Sequence, residues 1–308
     1  MSYQQKYLKY KKKYLDAKNK IGSSNPNDIL FIAAKNGDTD LVRLLLEKGE
    51  ADVDKANNYG STPLLIAVEM GNTELVRLLL EKADVNKAHT DGTTPLGMAV
   101  LHSPPRRRTE LVSLLLEKAD VNKANKKGFT PLYKAAQRGL TEVVRLLLKK
   151  ADVEKEKATL SGWTPLHIAV FNGNENTVRL LVKAGAKVDM ATKSGYTPLH
   201  IAVFKGNENT VRLLVKVGNA DVNKEREGDE GSTPLIMAVE WKEEKIVRFL
   251  VEEGKADVNK ANKNGTTPLG MAAQKCHKDI VSFLVEKGAS KELKKDMVVC
   301  SEVGDLLK

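Results

Sequence analysis

An all-α solenoid of short helix–turn–helix units is the fold class this sequence predicts, and three observations predict it. The tripeptide Thr-Pro-Leu occurs seven times, its proline at 63, 95, 131, 165, 198, 234 and 268, and a spacing this close to 34 residues marks a stacked repeat. After each copy come a short apolar run, a turn and a second apolar run at helical spacing, as in Val143, Val144, Leu147 and Leu148. Hydrophobic residues make up 41% of the 308, enough for a core and against wholesale disorder.

Within each unit the threonine caps the first helix, and the proline sits in its first turn, where the missing amide hydrogen has no intrahelical partner to lose. In the copy at Thr130-Pro131-Leu132, Ala135 and Ala136 follow, Gly139 marks the turn, and the Leu/Val stripe is the second helix. Next come Ala-Asp-Val-(Asn/Glu) and a polar stretch to the next glycine, which predict an extended finger. An eighth, degenerate copy precedes the others: Asp28–Ala34 aligns with Thr62–Val68, 34 residues on. A tetratricopeptide unit would lack the finger and carry its proline at the end of the second helix.

Over roughly residues 27–290 the chain therefore resembles the ankyrin repeat family, in about eight units. The resemblance implies β-hairpin-like fingers; a basic leader over 1–25 and a short C-terminal cap or tail over 291–308 are expected on either side of the repeats. Departures from the family pattern carry their own expectations. Its Thr-Pro-Leu-His survives only with His167 and His200; at the other copies Phe31, Leu65, Gly97, Tyr133, Ile236 and Gly270 stand in that place. The glycine that closes the second helix is missing at Lys82-Ala83, Lys118-Ala119 and Lys150-Ala151, which predicts poorly capped helix ends. Leu101–Arg108 holds an insertion read as an exposed loop, and Glu225–Glu230 a lengthened acidic finger.

Several function classes drop out. No uninterrupted apolar run reaches the ~18 residues of a membrane span, and no transmembrane segment is expected. Cys276 and Cys300 are too few for a disulfide framework or a Cys-rich zinc site and fit a reducing, cytoplasmic setting. No metalloprotease helix, phosphate loop or dinucleotide turn occurs. Cys276 and His277 are neighbours in a turn and point apart, with no third orienting group. His89, His102, His167, His200 and His277 all have structural explanations, and the aspartates at 84, 120, 221 and 257 recur with the repeat as scaffold. The expectation is a non-enzymatic chain without catalytic residues, metal or cofactor.

Function then rests on a surface. In the ankyrin family the concave face, built from fingers and first helices, receives a protein partner. The family's contact positions fall here on Tyr59, Phe129, Trp163, Phe171, Tyr196, Phe204 and Trp241, seven of the eleven aromatics outside the leader. Phe129, Trp163 and Tyr196 form one row, and Phe171 and Phe204, continued by Trp241, a second. Aromatic rings are the usual anchors of interfaces, so a contact surface is expected on them, while Phe249 and Phe283 belong to second helices and the core. Arg106-Arg107-Arg108 is read as a solubilising insertion rather than an anion site.

The net charge of +10 is uneven. Residues 1–25 hold seven lysines and one aspartate, which leaves +4 for the rest. Tyr3, Tyr7, Tyr10, Tyr14, Ala17 and Ile21 follow heptad steps. The stretch Lys6–Leu15 resembles the N-terminal segment of many proteins of giant mimivirus-like DNA viruses, which implies a viral protein of the host cytoplasm, in a packaged form or not, engaging a host or virion protein. A competing function is nucleic-acid or anionic-surface binding through Tyr7, Lys9, Tyr10, Lys11, Lys12, Lys13 and Tyr14.

Overall fold

In the computed structural model, residues 25–228, 230–294 and 298–307 are described, with 11, 12, 14–16, 18, 19 and 22 of the leader. Tyr7, Lys9, Tyr10 and Lys13 lie outside the described residues; Lys11 and Lys12 are exposed and Tyr14 half-buried. Among the described residues no strand forms, and helices follow one another in pairs. The first helices are α1 (Pro26–Asn36), α3 (Pro63–Met70), α5 (Pro95–Leu101), α7 (Pro131–Gln137), α9 (Pro165–Phe171), α11 (Pro198–Phe204), α13 (Pro234–Glu240) and α15 (Pro268–Gln274). The second are α2 (Thr39–Lys48), α4 (Thr73–Leu79), α6 (Pro105–Leu115), α8 (Thr141–Leu148), α10 (Glu175–Lys183), α12 (Glu208–Lys216), α14 (Glu244–Glu252) and α16 (Lys278–Glu286).

Each helix of the seven Thr-Pro-Leu copies begins at its proline. The threonine hydroxyl before it accepts an amide hydrogen three residues on, as Thr62 does from Leu65 (3.3 Å) and Thr130 from Tyr133 (3.1 Å). The first pair differs from its alignment. Asn25 rather than Asp28 caps α1, its side chain accepting from the Asn27 amide (3.0 Å), because Asn25-Pro26 supplies a cap and a first-turn proline three residues earlier.

The chain divides into two compact units, Met1–Ala135 with Glu142–Glu154, and Ala136–Thr141 with Lys155–Lys308. In the first, α1, α3 and α5 pack in series, as do α2, α4 and α6. In the second, α9, α11, α13 and α15 form one row and α10, α12 and α14 another, with α15 against α16. Leu64, Leu65, Ala67 and Val68 of α3 close on Leu75, Val76, Leu78 and Leu79 of α4, all buried. At about 1.5–3 kcal/mol for a fully buried aliphatic side chain, this repeated layer is what holds the pairs together. Phe249 and Phe283 are core, at 1% and 4% exposure.

Four sequence expectations change. The fingers are turns closed by a backbone hydrogen bond rather than paired strands, such as Thr159 N–H to Trp163 O (3.0 Å) and Thr192 N–H to Tyr196 O (2.9 Å). At Lys82 and Lys118 the absent glycine does not leave helix ends bare: Ala83 N–H donates to Leu79 O and Ala119 N–H to Leu115 O, each at 2.8 Å, at the ends of α4 and α6. Lys82 Nζ donates to Leu46 O of α2 (2.7 Å) and Lys118 Nζ to Leu80 O after α4 (2.8 Å), so a cation meets the negative end of the preceding second helix. The insertion is not a loop: Pro105 starts α6, and Arg106–Arg108 form its first turn. There Arg107 pairs with Glu110 (3.2 Å) and Arg108 donates to Ser103 O (2.9 Å).

The fourth concerns the cysteines. Cys276 and Cys300 form a disulfide, with 5.4 Å between Cα atoms and a sequence separation of 24. The tail returns across the turn of the last pair: Cys300 N–H donates to Ala273 O (3.1 Å), Lys278 pairs with Glu302 (2.9 Å), and Val303 is fully buried. Cys276 has φ +59°, a left-handed conformation that glycines 37, 71, 139, 173 and 206 take at the same turn of other pairs. Sequence distance hid this contact, because only the fold brings position 300 back to 276.

Candidate functional site

The fingers are anchored before they present anything. Side chains of the Asp-Val-Asn turns run a ladder between successive fingers: Asn86 accepts from the Asp120 amide (2.9 Å) and Asn122 from Glu154 (2.8 Å). In the second unit Asp189, Asn223 and Asn259 accept from Asp221, Asp257 and Ser290 at 3.0, 2.9 and 2.7 Å. Adjacent fingers also share backbone bonds, as Lys193 N–H to Ser161 O (3.1 Å). That approach explains Gly162, whose φ is +81° and where a Cβ would lie 2.8 Å from Lys193 N.

The two motif histidines complete the anchoring. His167 Nδ1 accepts from the Thr164 amide (3.2 Å) and hydroxyl (2.7 Å), while Nε2 donates to Met190 O (3.0 Å) and Tyr196 O (3.2 Å) of the next finger. His200 repeats this with Thr197 and with Ser232 O (3.3 Å). With Nδ1 accepting from an amide and Nε2 facing carbonyl oxygens, each ring is the neutral tautomer with its hydrogen on Nε2. Burial pushes both pKa values down to about 4, against partial compensation from the carbonyls. These residues are ties, as expected, and not ligands.

The seven aromatic candidates fall into different settings. Tyr59 and Phe129 belong to the first unit. Tyr59 is 79% exposed, whereas Phe129 is half-buried and stacks on Tyr133 with ring centroids 5.0 Å apart. The other five belong to the second unit. There Trp163 meets Phe171 edge to face at 5.4 Å, and Phe204 meets Trp241 likewise at 5.5 Å. Trp241 is not a further member of the Phe171–Phe204 row. Counting from the capping threonine, Glu240 holds that place, and Trp241 is the helix-terminating residue one position later. From there its ring reaches back to Phe204.

Around this second pair the surface hollows into a cavity of about 360 Å³. Tyr196, Phe204 and Trp241 line it, with Met237 and with the charged Arg226, Glu230 and Glu240. Phe204 and Trp241 stay 48% and 54% exposed even so. Arg226 is engaged, its guanidinium 4.8 Å from the Tyr196 ring and donating to the Tyr196 hydroxyl at 2.8 Å. Met237, Arg226, Glu230 and Glu240 escape a reading of the aromatic pattern alone; aligning the first helices register by register exposes Glu240 as the odd member. Such a hollow offers apolar area and charge, and among the described residues no cluster of three metal-ligating side chains occurs.

Among the described residues no helix is long and apolar enough to cross a membrane. The chain shows no significant match to curated proteins, so the likeness of its leader to viral N-termini gains no support. The family model described as ankyrin repeats (3 copies) matches four overlapping segments, residues 5–89, 81–157, 153–226 and 219–295. Such repeats generally mediate protein–protein interaction and are typically non-catalytic. With helix pairs, capping threonines and finger ladder in place, and matches running over nearly the whole length, the chain belongs to the ankyrin-repeat family.

Proposed function

We propose that this chain is a non-enzymatic interaction scaffold of eight ankyrin units over 26–290, with a basic leader before them and a C-terminal cap behind. Its partner is a protein, and it docks on the face that carries Trp163, Phe171, Tyr196, Phe204 and Trp241. The single observation that carries this reading is the hollow beside Tyr196, where two large rings remain half in solvent although helices frame them. Exposed aromatic anchors beside a concavity are the usual core of a protein interface. Tyr59 and Phe129, in the first unit, are proposed separately as contact residues of that unit; among the described residues Tyr59 has no ring contact and Phe129 is already stacked.

The viral setting, with a host or virion protein as partner, rests on the leader's resemblance alone. Within that setting the Cys276–Cys300 pairing favours a packaged form over residence in a reducing cytoplasm. The competing reading, nucleic-acid or anionic-surface binding through the leader, rests on its lysines.

Affinity capture with the full chain from its native cell tests the proposal. Phe204→Ala/Trp241→Ala lies on exposed rings and is expected to lose the partner while melting like wild type. Deletion of residues 1–25 is expected to keep it. Retention by the double variant and loss on deletion would transfer the function to the leader, and steep weakening with salt would mark that mode.

A further inference from the structure

This chain places its own cations on several of its rings. Lys134 sits 3.8 Å from the Phe129 centroid, Lys205 4.7 Å from Phe171, and Arg226 4.8 Å from Tyr196. In the core-facing row Arg212 covers Phe249 at 4.4 Å and Arg248 covers Phe283 at 4.5 Å. Among the described residues no cation lies over Phe204 or Trp241, nor over Trp163 or Tyr59. The register shows what changed. Lys205, eight residues past its capping threonine, covers the Phe171 ring of the preceding pair; Trp241, eight past Thr233, takes the same place against Phe204. A tryptophan stands where the neighbouring repeat supplies its own ammonium group.

Charge is left over at the same spot. Glu230 and Glu240 line the hollow, and among the described residues neither carboxylate has an ion pair or a side-chain hydrogen bond. The neighbouring acid Glu225, by contrast, is paired with Lys260 at 3.2 Å. Two half-exposed rings and two carboxylates without an ion pair among the described residues line a space of about 360 Å³, and Arg226, the cation among its described lining residues, is already held on Tyr196. Ring quadrupoles and carboxylates both favour positive charge.

Resting on the docking face proposed above, we infer that the hollow receives a lysine or arginine side chain of a basic partner peptide. Its aliphatic stem packs on Phe204 and Trp241, and its charged head lies between Glu230 and Glu240. The exposed rings supply area, and the acids supply selection.

Panning a phage-displayed random 12-mer library against the full chain tests this without knowing the partner. Selected sequences are expected to be enriched in Lys or Arg and to lose binding to Phe204→Ala/Trp241→Ala. For one selected peptide made synthetically, replacing the critical lysine by norleucine is expected to weaken binding about tenfold. The variant Glu230→Gln/Glu240→Gln should weaken the lysine peptide similarly and leave the norleucine peptide unchanged. Peptides that need Phe204 and Trp241 but show no Lys/Arg enrichment, or bind equally with norleucine, overturn the cationic assignment and leave the docking face standing. No selected peptide at all, or only peptides indifferent to both rings, overturns both.

Discussion

The pairs α3/α4 and α5/α6 of the first unit and the pairs α9/α10 and α11/α12 of the second share one frame of capping threonine, first-turn proline and buried Leu/Val layer. They differ in how each is tied to its neighbour. In the first unit the tie is an exposed lysine reaching a helix carbonyl end, from Lys82 to Leu46 and from Lys118 to Leu80. In the second it is a buried neutral imidazole between a capping threonine and the next finger, at His167 and His200. At the histidine positions the first unit has Leu65 and Gly97. The same job is thus done by a charge kept in water and by a base kept out of it, and only the second kind responds to mild acid.

The largest expected effect follows from that asymmetry. A histidine held down to about 4 in the folded state, against 6.5 unfolded, is fully stabilising above pH 6.5, and its contribution is lost as pH falls towards 4. Each ring should cost about 2 kcal/mol by pH 5 and about 3 kcal/mol below pH 4. Hydrogen exchange at pH 7 and pH 5 should show α9 and α11 opening while α3 and α5 keep their protection. His167→Leu/His200→Ile, which copies Leu65 and Ile236, should flatten this response; equal loosening of both units in wild type would remove the distinction.

A second contrast lies in the cores. Thr177 and Thr210, 1% and 0% exposed, have hydroxyl oxygens without a hydrogen-bond partner, where the first unit has Leu75 and Leu111. An unmade buried hydroxyl bond costs about 1–2 kcal/mol, so Thr177→Val and Thr210→Val should each raise stability by about 1 kcal/mol in urea titrations. A loss instead would mean that the hydroxyls are satisfied by water.

The smallest effect belongs to the lysines. Lys82→Met and Lys118→Met should each lower stability by about 0.5–1 kcal/mol, with the added exchange confined to α2 and α4 and unaffected by pH between 5 and 7. Loosening in α9–α12 would show that the ties are not local.

Repeat period and capping residues made the helix starts legible, because Thr-Pro is a local signal whose physics needs no tertiary partner. Positions of the exposed rings were legible for the same reason, since register alone assigns them to finger or helix end. What register does not carry is reach. Lys82 reads as a missing glycine until its side chain is seen crossing to α2. Trp241 reads as one more ring in a row until its place after Glu240 turns it toward Phe204. Arg106–Arg108 read as loop because Pro104-Pro105 looks like a break, yet a proline at the first helical position starts α6.

The C-terminal clasp has a consequence for how the second unit comes undone. In an array whose members touch only their neighbours, melting starts wherever a terminal member frays. Closing a 24-residue loop through Cys276 and Cys300 is worth about 3 kcal/mol against that fraying. With the bond reduced, the contacts left to the segment that shields α15 and α16 include, among the described residues, buried Val303, the Lys278–Glu302 ion pair and the Cys300 amide. Unzipping from this side is therefore gated by the thiol–disulfide balance around the molecule as well as by heat.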